Sequence, residues 1–136
     1  MEVKVEKLGK VSFVVKSRGH MVVSDQPEFN GGSDVGMTPP ELLLAFLGTC
    51  IGYYAAEFLA ARNLPSEGLE IEVEGEVVRN PARIGRIEVR LTVAADLDEK
   101  LLQTLMRTLS HCPIHNTLTH PPELQIHLET HATVAG

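Results

Sequence analysis

Thr38-Pro39-Pro40-Glu41-Leu42-Leu43-Leu44-Ala45-Phe46-Leu47-Gly48-Thr49-Cys50 opens a stretch that continues to Ala61 with Glu57 as the only charge beyond Glu41. Its start carries helix signals: Thr38 suits the N-cap, Pro39 the first helical position, and Glu41 the third residue of a capping box. The predicted helix runs from about 39 to about 62 and ends before Pro65. Leu43, Leu47, Cys50 and Tyr54 share one face by three-and-four spacing. Gly48 and Gly52, four apart, flatten the surface and suggest a close helix–helix contact. Residues 42–61 number 20, long enough for a membrane span. The two glycines and the flanking strand-like segments, each with one apolar face, favour a buried helix of a soluble protein instead. A helix apolar on every side must be enclosed by other protein. A chain of 136 residues has little left with which to enclose one, so an intimate homodimer is expected.

Working outward, the N-terminal segment alternates by twos: Val3 and Val5, then Val11, Phe13 and Val15, then Met21 and Val23. These predict two or three antiparallel strands, with turns at Gly9 and Ser17-Arg18-Gly19. Residues 24–37, which include Gly31-Gly32, form a loop long enough to suggest a function. After the long helix, Leu69, Ile71 and Val73 alternate with glutamates, and so do Ile87, Val89, Leu91 and Val93 with polar residues. Asn80-Pro81 and Gly85 mark their connection. Asp96-Leu97-Asp98-Glu99 repeats the capping-box pattern before an apolar stripe, Leu97, Leu101, Leu105 and Leu109. The helix breaks at Ser110-His111-Cys112-Pro113. A short third helix to about Thr119 is stopped by Pro121-Pro122, a last strand follows at Leu124, Ile126 and Leu128, and residues 132–136 form a loose tail. Strands, long helix, two strands, helix pair and strand make an α+β pattern: an antiparallel sheet packed on a long central helix, in a single domain spanning 1–136.

The net charge of −6 and pI near 5.5, with scattered single lysines and arginines, argue against nucleic acid and anionic membrane as partners. The charged, alternating N-terminus lacks an apolar signal region, so the expected location is cytoplasmic, with thiols reduced at rest. Two cysteines in such a chain are not a disulfide scaffold. Cys112, at a helix start before Pro113, meets free backbone N–H groups that favour its thiolate. Cys50 sits among leucines, where burial raises a thiol's pKa unless a cation, a donor or a second subunit intervenes. Inert packing is the alternative for each.

The segment Thr38 to Cys50 and the triad His111-Cys112-Pro113 together resemble the OsmC/Ohr family, the osmotically inducible and organic-hydroperoxide-resistance proteins. The order of strands and helices fits as well, and the Gly31-Gly32 loop is similar to that of the OsmC-like branch. The resemblance implies an intertwined homodimer and a thiol peroxidase acting on organic hydroperoxides without a cofactor. On it, Cys50 is the peroxidatic residue and Cys112 the resolving one. The two form a disulfide that an external dithiol reduces. Catalytic members also carry an arginine and a glutamate that hold the first cysteine as thiolate. Counted back from Cys50, the glutamate position falls on Pro40, and Glu41, one residue on, is the candidate with a capping role as its alternative. Arg18 is the nearest arginine on the N-terminal strands, while Asn30 stands roughly where one branch places its arginine.

Two other functions are compatible with the residues. The missing arginine and glutamate matches suggest a non-catalytic dimer that holds a small hydrophobic molecule. The cluster His111-Cys112-Pro113-Ile114-His115, with His120 beyond and Cys50 as a fourth donor, suggests a Cys/His metal site, although no second Cys-x-x-Cys-type half supports it.

Overall fold

Alternation by twos in the N-terminal residues produces a three-stranded antiparallel meander, β1 (Lys4–Lys7), β2 (Phe13–Ser17) and β3 (His20–Ser24), in the computed structural model, which describes residues 1–131. Val5 pairs with Val15, and Val15 with Val22. Arg18 and Gly19, with φ of 50° and 83°, make the two-residue turn between β2 and β3. Both central residues in the left-handed region match the right-handed strand twist, as primed hairpin turns do.

The loop after β3 is built around Asp25, which is 2% exposed. Its carboxylate accepts the backbone N–H groups of Ser33 at 3.1 Å and Val35 at 3.2 Å. The Gln26 backbone N–H contributes most, with those of Val35 and Ser33, to holding the carboxyl below its ordinary pKa against the opposing effect of burial. Ser24 donates to the Met37 carbonyl at 3.0 Å, so both ends of the loop are tied together.

The long helix, α1 (Pro39–Ala61), starts at the expected residue. Thr38 Oγ1 accepts the Glu41 N–H at 3.4 Å, and Glu41 Oε1 accepts from the Thr38 N–H at 3.0 Å and its hydroxyl at 2.8 Å. The capping box read from the sequence is therefore present. Among the described residues α1 is the one helix long and apolar enough to cross a membrane, yet it packs against sheet and helices of its own chain.

A second sheet pairs β4 (Glu70–Val78) with β5 (Arg83–Thr92), matching Ile71 to Leu91 and Val73 to Val89, with a bulge between Glu76 and Val77. The expected single sheet is thus two separate ones. Gly85 lies inside β5 and not in the connection. The apolar face turns to α1, while Arg90 meets Glu74 at 3.6 Å and Glu88 at 3.2 Å on the wet face. Such exposed pairs add little stability. Gly48 and Gly52 seat β4, not another helix. A Cβ at position 48 would stand 3.0 Å from Val73 Cγ2, and one at 52 would stand 2.7 Å from Ile71 Cδ1. The sheet's branched side chains occupy the flat strip that a second helix was expected to use.

Helix α2 (Glu99–Leu109) is capped by Asp98, whose Oδ1 accepts the Leu101 N–H at 2.8 Å. Its start lies two residues later than the Asp96 cap expected, because the capping oxygen nearest the first free N–H groups decides the boundary. The short α3 (Pro113–Thr119) follows. Two buried clusters hold these elements together. Ala55, Phe58, Leu59 and Leu105 join the end of α1 to α2, and Leu47, Ile51 and Cys112 join its middle to α3 and the second sheet. Full burial of a Leu or Phe side chain contributes about 1.5–3 kcal/mol, so these contacts fix where α3 meets α1.

The expected closing strand is corrected. Residues 121–131 carry no regular secondary structure, and Leu124, Ile126 and Leu128 are 78%, 85% and 89% exposed. Alternation supplies a strand with one apolar face, but a strand forms only where a neighbour takes its N–H and C=O groups. No described strand of this chain does so. The expected tail at 132–136 lies outside the described residues.

Candidate functional site

The site forms where the middle of α1 meets the N-terminus of α3. Cys112 is the N-cap of α3, with Pro113 at the first helical position, and its sulfur accepts the His115 N–H at 3.3 Å. The residue is fully buried. Cys50, one turn from Leu47 on α1, is half-buried and packs on the same cluster. The two cysteines pack in one cluster although 62 positions separate them in the chain. Both cysteines are free.

Burial pushes the Cys50 thiol above its ordinary pKa, and the hydrogen bond with Cys112 pushes it the same way. The nearby backbone N–H of Ile114 pulls it back in part. The first turn of α3 thus bears on both sulfurs: the Ile114 N–H lowers the Cys50 pKa in part, and the His115 N–H donates to Cys112. Among the described residues no basic side chain adds to the acidity of Cys50.

The other two candidates lie elsewhere. Arg18, in the β2–β3 turn, is exposed and lines a surface hollow with Glu2, Lys16 and His20. The chain does not bring it to Cys50. Glu41 precedes Cys50 by nine helical residues, which puts it about 13.5 Å away along the axis and about half a turn round. Its carboxylate is engaged by the Thr38 N–H and hydroxyl, which hold its pKa below the usual carboxylate range. Glu41 therefore caps α1, and it faces a groove shared with Leu44, Gly48 and Val73 on the side away from the cysteines.

The model of the family described as OsmC-like protein matches residues 31–127, a span that holds both cysteines and the elements carrying them. The chain belongs to the OsmC family. Solved structures share the fold at low identity. A Psychrobacter arcticus protein assigned to the osmotic stress induced and detoxification response is 21% identical with a TM-score of 0.79, covering 88% of each chain. An OsmC-like protein from Mycoplasma pneumoniae is 21% identical with a TM-score of 0.75, over 88% of this chain and 87% of that one. The organic hydroperoxide resistance protein OhrB of Bacillus subtilis is 20% identical with a TM-score of 0.57, over 89% and 93%. No curated protein sequence matches the chain.

Beside the cysteines this OsmC-family chain has a nearly all-apolar groove of about 530 Å³. Phe13 and Val15 form one wall, Leu43 and Phe46 of α1 another, and Ile114 and Leu118 of α3 the third. Phe46 lies one turn before Cys50, and Ile114 packs in the same cluster as both cysteines, although neither cysteine lines the groove itself. Sequence patterning missed the effect of the Ile114 N–H on Cys50, since a backbone donor leaves no residue-type signal. For the metal alternative, His111, Cys112, His115 and His120 do not converge: among the described residues no three His, Cys, Asp or Glu side chains gather as a metal site would need.

Proposed function

We propose that the protein is a thiol peroxidase that reduces organic hydroperoxides, with Cys50 as the attacking thiol and Cys112 as the resolving one. The observation that carries this reading is the packing of two free cysteines in one cluster, one half-buried and one fully enclosed. The Cys50 thiolate attacks the terminal oxygen of the hydroperoxide. The O–O bond breaks, an S–O bond forms, and the alkoxide leaves to become an alcohol on gaining a proton. Cys112 then attacks the sulfenic sulfur, the S–S bond forms, and hydroxide leaves as water. An external dithiol returns the pair to thiols by two exchanges and is itself oxidised. The apolar groove favours an organic substrate over hydrogen peroxide, because burying an alkyl chain there removes apolar surface from water. A reducing, cytoplasmic setting suits this cycle, and neither nucleic acid nor membrane has a part in it.

One equivalent of an organic hydroperoxide is expected to convert both thiols into a Cys50–Cys112 disulfide, read by peptide mapping. Should Cys50 stay open to alkylation while peroxide is not consumed, the enzyme reading fails. The binding alternative draws support from the same groove of about 530 Å³ and from the absence of a cation contributing to Cys50 acidity among the described residues. A co-purifying apolar ligand in native mass spectrometry, together with an unchanged thiol titre after peroxide, would favour it.

The working unit in this proposal is a homodimer. Leu124, Ile126 and Leu128 stand exposed in register, and the N-terminal sheet leaves Val5 and Met21 open at 57% and 67%. Apolar surface of this extent is covered in stable soluble proteins. Light scattering is expected to give twice the 14.9 kDa chain mass; a monomer at micromolar concentration would remove the dimer from the proposal.

A further inference from the structure

Cleavage of an O–O bond by a thiolate releases an alkoxide, a strong base whose departure is slow unless a proton reaches it during bond breaking. On the hydroperoxide reading, on which this inference rests, Cys50 needs such a donor nearby. Two groups that carry an ionisable proton belong to the apolar cluster against which Cys50 packs, the Cys112 thiol and the Tyr54 phenol. Cys112 is fully buried and reserved for the next step. The His115 ring contacts the Asn116 side chain at 3.3 Å on an exposed surface.

Tyr54 is placed differently. It follows Cys50 by four residues on α1, so the two are neighbours on one face. Aromatic side chains on a helix lean toward its N-terminus, which lays the Tyr54 ring over the turn that carries Cys50. Both pack on the Leu47, Ile51 and Cys112 cluster. The Tyr53 ring abuts Tyr54 edge-on at 5.2 Å and 86°, limiting its swing. The residue is half-buried, and its hydroxyl bonds no other described residue. No buried side-chain oxygen among the described residues lacks a partner, so that hydroxyl is open to solvent and free to donate.

We propose that Tyr54 donates the proton that the departing alkoxide takes as Cys50 is oxidised. The phenol O–H bond breaks as the alcohol O–H bond forms, and the phenolate recovers its proton from water.

The test compares single-turnover oxidation of Cys50 in wild type and Tyr54→Phe with two probes, followed by alkylation and mass analysis. With tert-butyl hydroperoxide the leaving group is an alkoxide. With peracetic acid it is acetate, which departs without a proton. Tyr54→Phe is expected to slow the first reaction about 100-fold, the lower range for general acid catalysis, and to leave the second nearly unchanged. Equal rates for wild type and variant with tert-butyl hydroperoxide would overturn the assignment, and so would equal slowing with both probes, which indicates lost packing. If neither probe oxidises wild-type Cys50, the hydroperoxide reading falls and this donor with it; oxidation of wild type with no change in the variant removes the donor alone.

Discussion

Cys50→Ser is expected to reduce hydroperoxide consumption to the uncatalysed background. A serine hydroxyl is not oxidised by a hydroperoxide, and it lacks the soft, easily ionised sulfur that attacks the O–O bond. The fold should survive, because the change is small, the position is half-buried and the serine hydroxyl can bond to water or to a neighbouring backbone group. Cys112→Ser separates the two roles. Serine is among the best N-caps, so α3 keeps its start and the His115 N–H keeps an acceptor. The variant is expected to release one equivalent of alcohol in a burst. It then stalls with a sulfenic acid on Cys50 that further peroxide carries to sulfinic acid. Peroxide assays with mass analysis of Cys50 read both results. Consumption above background in Cys50→Ser would place the attacking group elsewhere, with Cys112 the first to suspect.

The second large effect is structural. Gly32→Ala is expected to destabilise the protein by about 3 kcal/mol or more, as overpacking against backbone does. A Cβ there would run into the Gln26 carbonyl oxygen and stand 2.8 Å from Asp25 Oδ1; the Asp34 N–H holds that carbonyl at 3.0 Å, and the Ser33 and Val35 N–H groups hold the carboxylate through Oδ2. For a domain of this size the melting temperature should fall by about 10 °C or more. Gly31→Ala makes the internal comparison. Its added Cβ meets nothing within 4 Å, and only its φ of 86° opposes the change, a cost of about 1–2 kcal/mol. Calorimetry on the pair would separate steric exclusion from backbone strain, and similar losses at both positions would refute the close-approach account of Gly32. The loop ends at the Thr38 cap, so a displaced loop also shifts the N-terminus of α1.

Local features were legible because their causes are local. Thr38 and Glu41 cap α1 as written, since both partners of the capping box lie within one turn. Cys112-Pro113 opens α3 for the same reason: an acceptor at the cap and a proline at the first position act on adjacent N–H groups. Glu41 shows where such reasoning stops. Its place one residue from the family's glutamate position made it a catalytic candidate, and helix geometry turns it half a circle from Cys50. Arg18 had only its residue type and its place on the N-terminal strands to suggest it, and the tight turn carries it to an exposed edge.

The amino-acid order alone determined the element order from β1 to α3, the starts of α1 and α3 and the family, because periodicity and capping depend on neighbours a few residues apart. Only the tertiary structure decided that the two cysteines pack in one cluster, that the His115 N–H is directed at the Cys112 sulfur, that Gly48 and Gly52 seat a sheet, and that Leu124, Ile126 and Leu128 find no strand partner among the described residues. Those outcomes turn on contacts between segments far apart in the chain, where packing volume and hydrogen-bond completion choose among arrangements that the local pattern leaves equal.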